Sequence, residues 1–184
     1  MRIITGKARG VRLNTLAGDD TRPTAERVKE AVFSAIQFNI EARRVLDLFG
    51  GSGQMALEAV SRGADSAVIV DSNKKAAEVI RANVMRANML PQCKTVCADW
   101  RDYLKTAAGK ERFNLIFLDP PYKEGFLDEV IKRVRAADII GDSAIIVCES
   151  AEDGIPTPPD GFTAKLYRYG KTYVTILKSE EDGI

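Results

Sequence analysis

The chain has 184 residues, 45% hydrophobic and 29% charged, with 27 basic residues against 26 acidic ones for a net charge of +1. That size and balance suit one compact domain with a small appendage; no window approaches the roughly 18 continuous apolar residues of a membrane span, and the start lacks the apolar stretch of a secretory signal, so a soluble, cytoplasmic protein is expected. Histidine is absent, which excludes Ser-His-Asp triads, Cys-His pairs and His-ligated zinc, and no metal is expected.

Arg2 to Leu13 reads as two short strands around a glycine-containing turn, a hairpin in which Arg2, Lys7, Arg9 and Arg12 face no acid before residue 19. Arg22-Pro23-Thr24 introduces a helix, with Thr24 a fitting N-cap and Val28, Ala31, Val32, Ala35 and Ile36 recurring on one face. From residue 43 the pattern alternates: strand 44–49, helix 54–62, strand 67–70, helix 73–88, strand 94–97, helix 100–107, strand 115–118, helix 125–137, strand 144–148. Continuous apolar strands alternating with helices predict a parallel sheet covered on both faces. Two further runs, 164–169 and 171–177, flank Gly170 as a hairpin, so the sheet is expected to end with antiparallel strands. Cys93, Cys97 and Cys148 all fall in strand-like apolar contexts and read as buried small hydrophobes, not as a disulfide framework.

Asp47-Leu-Phe-Gly-Gly-Ser-Gly-Gln-Met-Ala56 follows the first core strand and opens a helix. Glycines at 50, 51 and 53 allow a tight turn and close approach of a ligand to the backbone. The spacing also fits a dinucleotide fingerprint, with Asp71 placed 18 residues after Gly53 to accept ribose hydroxyls. Both NAD and S-adenosylmethionine present such a ribose. Asp47 separates them, because a carboxylate beside the loop suits an ammonium group and repels a pyrophosphate. Asp99 and Trp100, after the third strand, suit an adenine amine and ring; a helix N-cap followed by a core tryptophan explains them nearly as well.

Asp119-Pro120-Pro121-Tyr122 leaves the strand that ends at Leu118. In an open parallel sheet, ligands gather at the carboxyl ends of the strands, so this tetrapeptide should neighbour the glycine loop. An aromatic exocyclic amine is a poor nucleophile because its lone pair is delocalised. Asp119 and the Pro120 carbonyl can accept its N–H groups and stabilise the charge that develops as a methyl arrives. The prolines hold these acceptors in place, and Tyr122 can stack on the extracted base. Imidazole is not needed for this chemistry.

Arg22 to Phe33, Val45 to Gly53, Ala64 to Asp71 and Leu118 to Tyr122 together resemble the RsmD-type family of bacterial 16S rRNA guanine-N2 methyltransferases, over nearly the whole chain. The resemblance implies a Rossmann-like class I methyltransferase fold: seven strands, mostly parallel with the last antiparallel, in a domain at 21–184 preceded by a basic hairpin extension at 1–20. It implies transfer from S-adenosylmethionine to N2 of one guanine in 16S rRNA, presented on a partly assembled small subunit. Cofactor contacts are expected at Asp47, Phe49, Gly50, Gly51, Gly53, Asp71, Ser72, Asp99 and Trp100, and the catalytic segment at Asp119, Pro120, Pro121 and Tyr122. Arg2, Lys7, Arg9, Arg12, Arg22 and Thr24 are expected to meet the RNA, with phosphates neutralised around the target nucleotide. Gly51 is a departure, since many relatives carry alanine there, and it should loosen the loop slightly. The alternative is methylation of adenine N6 in DNA, which shares the Asp-Pro-Pro-Tyr motif. A NAD-dependent oxidoreductase and an idle RNA-binding factor stand further off.

Overall fold

The computed structural model describes residues 1–16, 23–120, 126–151 and 155–180, and of residues 23–25 the backbone alone. The elements in chain order are α1 (Pro23–Ala35), a 3-10 turn (Gln37–Asn39), β1 (Arg44–Asp47), α2 (Gln54–Ser61), β2 (Ser66–Asp71), α3 (Lys74–Arg86), β3 (Cys93–Cys97), α4 (Trp100–Ala107), β4 (Phe113–Leu118), α5 (Phe126–Ala136), β5 (Ile140–Ser150), β6 (Phe162–Tyr169) and β7 (Thr172–Ser179). The helix expected to be capped by Thr24, and so to start at residue 25, begins two residues earlier at Pro23, which makes Thr24 its second residue. Proline suits the first helical position because its missing N–H would have had no partner there.

All seven strands join one sheet in the order β3-β2-β1-β4-β5-β7-β6. β1 to β5 pair in parallel, and β7 runs antiparallel between β5 and β6. The last strand therefore reverses alone, and β6 points the same way as β1 and β4. β5 is longer than its apolar run: a register shift between Phe113 and Leu115 lets Ile140 pair as well, the local irregularity a bulge introduces.

Residue parity divides the strands between two cores. Val45, Ile69, Leu115, Phe117, Val147 and Val174 pack with α1, α2 and α3, while Leu46, Val70, Ile116, Leu118, Ile146 and Cys148 pack with α4 and α5. Helices on both faces are what make each strand apolar without interruption. α1 is anchored by Phe33, which is fully buried and 5.8 Å from the Phe117 ring, a burial worth about 1.5–3 kcal/mol. The cysteines do not share one environment: Cys148 is buried, Cys93 half-buried and Cys97 exposed, because β3 is an edge strand with one side uncovered.

The amino-terminal segment is simpler than the two-stranded hairpin expected, with one antiparallel bridge between Arg2 and Arg12. Its two arms are tied by backbone bonds from Ile3 N–H to the Val11 carbonyl (2.9 Å), Gly10 N–H to the Ile3 carbonyl (2.8 Å) and Leu13 N–H to the Met1 carbonyl (3.0 Å), and side chains dock it to the helices. Glu58 of α2 is fully buried and accepts from the backbone N–H of Ile4 (2.7 Å) and Thr5 (3.0 Å) and from Arg62 Nε (2.8 Å). Lys29 of α1, 1% exposed, lies 3.8 Å from Glu58 and donates to the Arg2 carbonyl. Gly6 sits so close to α2 that a Cβ there would stand 1.7 Å from the Ser61 carbonyl oxygen, and its φ of +87° favours glycine as well. Ile3 and Leu13 enter the core shared with α1 and α2.

Candidate active site

Chain order reverses direction across the sheet between β1 and β4: β2 and β3 build outward on one side, and the chain then crosses to β4 on the other. A crevice at the carboxyl ends of the strands belongs at that switch point, and both expected motifs lie there. The glycine turn leaves β1 and Asp119 leaves β4, which pairs directly with β1. A shallow basin lined by Arg44, Arg112, Asn114 and Asp142 lies at the opposite ends of the strands and is separate from these residues.

The turn is held by Gly50 N–H donating to the Val70 carbonyl (2.8 Å) and Gly53 N–H to the Gly50 carbonyl (2.6 Å). At Gly50 a Cβ would lie 2.5 Å from Ile69 Cγ2, so the turn can press against β2 only without a side chain. Gly51 and Gly53 have φ of +55° and +77°, and nothing lies within 4 Å of where a Cβ on Gly51 would be. Glycine at 51 thus relieves a left-handed backbone and leaves an open face.

Asp47, Asp71, Asp119 and Glu149 share the parity of Val45, Ile69, Phe117 and Val147, so all four carboxyls stand on one face of the sheet. Asp47 is aligned with Ile69 and Phe117, which sets it two residues, roughly 7 Å, deeper than Asp71 and Asp119. It is 3% exposed. Burial, Asp119 and Asp71 push its carboxyl up to about 7 against the opposing effect of the Phe49 and Ala56 N–H groups. Asp119, although exposed to solvent at the strand end, is also raised by the packing around its base, and burial with the nearby Asp119 raises half-buried Glu149. Among the described residues no cation pairs with Asp47, Asp71, Asp119 or Glu149, and this composition suits a positively charged ligand and repels a pyrophosphate.

The family described as conserved hypothetical protein 95 matches residues 1–178. The chain belongs to this, the RsmD, family. Ribosomal RNA small subunit methyltransferase D of Escherichia coli K12 is 32% identical over 160 residues, 86% of this chain and 79% of the relative. The Bacillus subtilis protein YlbH is 35% identical over 97% of this chain and 98% of its own length. Among solved structures, the Escherichia coli protein yhhF superposes with a TM-score of 0.87 at 29% identity, covering 98% of each chain.

In this RsmD-family chain the Asp71 carboxylate is already engaged, with Oδ2 accepting from Gly51 N–H (2.9 Å) and Oδ1 from Asn73 N–H (2.8 Å). Each oxygen retains a lone pair for a hydroxyl. Ser72 is exposed beside it. Asp99 is the N-cap of α4, accepting from Arg101 N–H, with the Arg101 guanidinium 3.9 Å away. Trp100 lies in the core under α4 and α5, with Arg101 4.4 Å over its ring and Phe126 against its edge. Asp99 thus caps α4 while remaining exposed, and Trp100 packs in the core with Arg101 over its ring. Phe49 is half-buried and packs on Trp100 at 6.1 Å, linking the glycine turn to that core. Pro120 is buried. Arg22, Pro121 and Tyr122, and the Thr24 side chain, lie outside the described residues. Arg2, Lys7, Arg9 and Arg12 are all exposed.

Four polar residues escaped the sequence reading. Glu58 and Lys29 dock the amino-terminal segment, Glu149 adds a carboxyl to the row, and Asn83 is fully buried as a bridge. Asn83 Nδ2 donates to the Asn14 and Ser52 carbonyls (2.9 Å each), and Oδ1 accepts from Asn14 N–H (2.8 Å). The basic segment and the glycine turn are thereby joined through one side chain. Glu149 had a usable signal, since it follows the apolar run 144–148 as Asp119 follows 115–118. Among the described residues no cluster of His, Cys, Asp or Glu could hold a metal ion, and no helix is long and apolar enough to cross a membrane.

Proposed function

We propose that this protein methylates the N2 amine of one guanine in 16S rRNA, using S-adenosylmethionine. The observation that carries the reading is the juxtaposition, at the switch point, of the glycine turn and buried Asp47 with Asp119. S-adenosylmethionine, when bound, supplies an electrophilic methyl on a sulfonium sulfur and carries an ammonium group. Asp47 is the residue to hold that ammonium, because a cation relieves the burial and repulsion that raise its carboxyl. Asp71 retains capacity for the ribose hydroxyls, and the open face at Gly51 leaves room for backbone approach.

Asp119 accepts one N–H of the base amine and the Pro120 carbonyl the other, drawing the nitrogen toward tetrahedral geometry and stabilising its developing charge. No strong base is required, since the alkylated nitrogen sheds its proton readily to solvent. Arg2, Lys7, Arg9 and Arg12, exposed on a segment stitched to the glycine turn by Asn83, serve the phosphates around the target nucleotide. The name of the Escherichia coli relative supports small-subunit rRNA as the substrate class. A partly assembled particle as the substrate form and the residue 1–20 extension as an RNA-binding appendage belong to the same proposal.

The test is incubation of labelled S-adenosylmethionine with unmodified small subunits, free rRNA and DNA, followed by nucleoside digestion. N2-methylguanosine from the rRNA-containing samples is expected, and label only in N6-methyladenine would overturn the proposal. Asp119→Ala should bind S-adenosylmethionine normally in calorimetry and lose at least about 100-fold in turnover, the scale of removing a key transition-state hydrogen-bonding group.

A further inference from the structure

Glu149 is the fourth carboxyl of the row and has no role in the reading above. β4 and β5 run in parallel with Leu118 paired to Cys148, so one step further Asp119 and Glu149 leave neighbouring strands side by side. Both point to the face carrying Phe117 and Val147. Across β5, Glu149 is paired with buried Val174, so the residues flanking it on the sheet are apolar apart from Asp119. It is half-buried, and no hydrogen bond or ion pair among the described residues engages its carboxyl. A carboxyl confined without donors beside a second carboxyl is costly to the fold. An apolar side chain would pack the end of this strand better. The cost points to a donor-rich ligand that arrives from outside.

We propose that Glu149 is the base-reading residue of this site, its carboxylate accepting N1–H of the target guanine beside the amine held by Asp119. This rests on the guanine reading above. Guanine presents two adjacent kinds of donor on that edge, N1–H and the N2 amine, and a pair of carboxyls offers acceptors to both. Adenine presents its amine next to an N1 lone pair, which would face Glu149 lone pair to lone pair. The two carboxyls therefore divide the work: Asp119 handles the reacting nitrogen, and Glu149 decides which base may place a nitrogen there. Burial and Asp119 raise the Glu149 carboxyl in the free protein; accepting N1–H favours the ionised form and draws that pKa back down.

The discriminating probe is 2-aminopurine, which keeps the N2 amine and replaces N1–H with a lone pair. RNA carrying either base at the methylated position is compared with wild type, Glu149→Gln and Glu149→Asp. Wild type should favour guanine in kcat/KM by roughly 10- to 150-fold, the worth of one hydrogen bond to a charged group. Glu149→Gln, whose amide can donate to the N1 lone pair, should bring that ratio toward one while binding S-adenosylmethionine with unchanged Kd. Glu149→Asp keeps the charge on a shorter arm and should retain preference for guanine at a lower rate. If both variants bind the cofactor and Glu149→Gln keeps the wild-type ratio, or Glu149→Asp loses its preference, this assignment alone fails. Absence of N2-methylguanosine with the wild type would overturn the guanine reading and this assignment with it.

Discussion

Glu58→Gln tests how the amino-terminal segment is held. Both carboxylate oxygens are committed, Oε2 to Ile4 N–H and Oε1 to Thr5 N–H and Arg62 Nε, with Lys29 Nζ 3.8 Å away. An amide keeps one acceptor, points an NH2 at a backbone donor and leaves Lys29, 1% exposed, with the Arg2 carbonyl as its remaining close partner. Breaking one side of a buried ion pair costs about 3–5 kcal/mol. For a chain of this size each kcal/mol moves the midpoint by about 2–4 °C, so Tm should fall by roughly 6–20 °C. Hydrogen exchange should show residues 2–13 opening first, and RNA affinity should drop while S-adenosylmethionine affinity holds. The double variant Lys29→Met, Glu58→Met should recover part of the loss, because it removes the unpaired buried ammonium, while Arg62 and two backbone donors still lack their acceptor. A Tm within about 2 °C of wild type for Glu58→Gln would refute the argument that this carboxylate is the anchor.

Two further outcomes follow from the cofactor side. Gly50→Ala puts a methyl 2.5 Å from Ile69 Cγ2 and 3.3 Å from the Val70 carbonyl oxygen; overpacking of that kind costs about 1–3 kcal/mol and should weaken S-adenosylmethionine binding in calorimetry, whereas wild-type affinity and Tm would contradict the close-packed turn. Because Asp47 is raised to about 7, cofactor affinity should fall toward tenfold per pH unit below pH 7 as the carboxyl takes a proton. Above about pH 8 the ligand's own ammonium deprotonates and the gain ends. In the free protein the sign is opposite: a carboxyl whose pKa is raised by folding gives stability that is full below about pH 4 and lost as pH climbs through about 7. Calorimetry and denaturation across pH 5 to 8 check both limbs, and Asp47→Asn should flatten them.

The layered fold was readable because buried strands such as Val45-Leu46 and Leu115 to Leu118 feed two cores at once and so lose all polar interruption. Helix α4 falls on the residues expected, since its spacing places Tyr103, Leu104 and Ala107 on one buried face. Asp47, Gly50 to Gly53 and Asp119 were legible for a related reason: each breaks an apolar run at a strand end, where chemistry gathers. The polar residues that hold parts together were not. Glu58 sits among Met55, Ala56, Leu57, Ala59 and Val60, and its partners are backbone groups more than 50 residues away. Nothing in its local pattern distinguishes a docking carboxylate from a solvated one. Asn83 is hidden in the same way, since its partners Asn14 and Ser52 lie more than 30 residues away.

β7 lies between β5 and β6, yet it is the last of the seven to be made. Until Tyr173 to Lys178 are available, Ile145 to Ser150 have no neighbour on that side. A nascent or truncated chain ending short of these residues carries an open apolar edge, which invites self-association. The crevice motifs are thus synthesised before the strand that covers this edge, and the sheet that carries them is completed late.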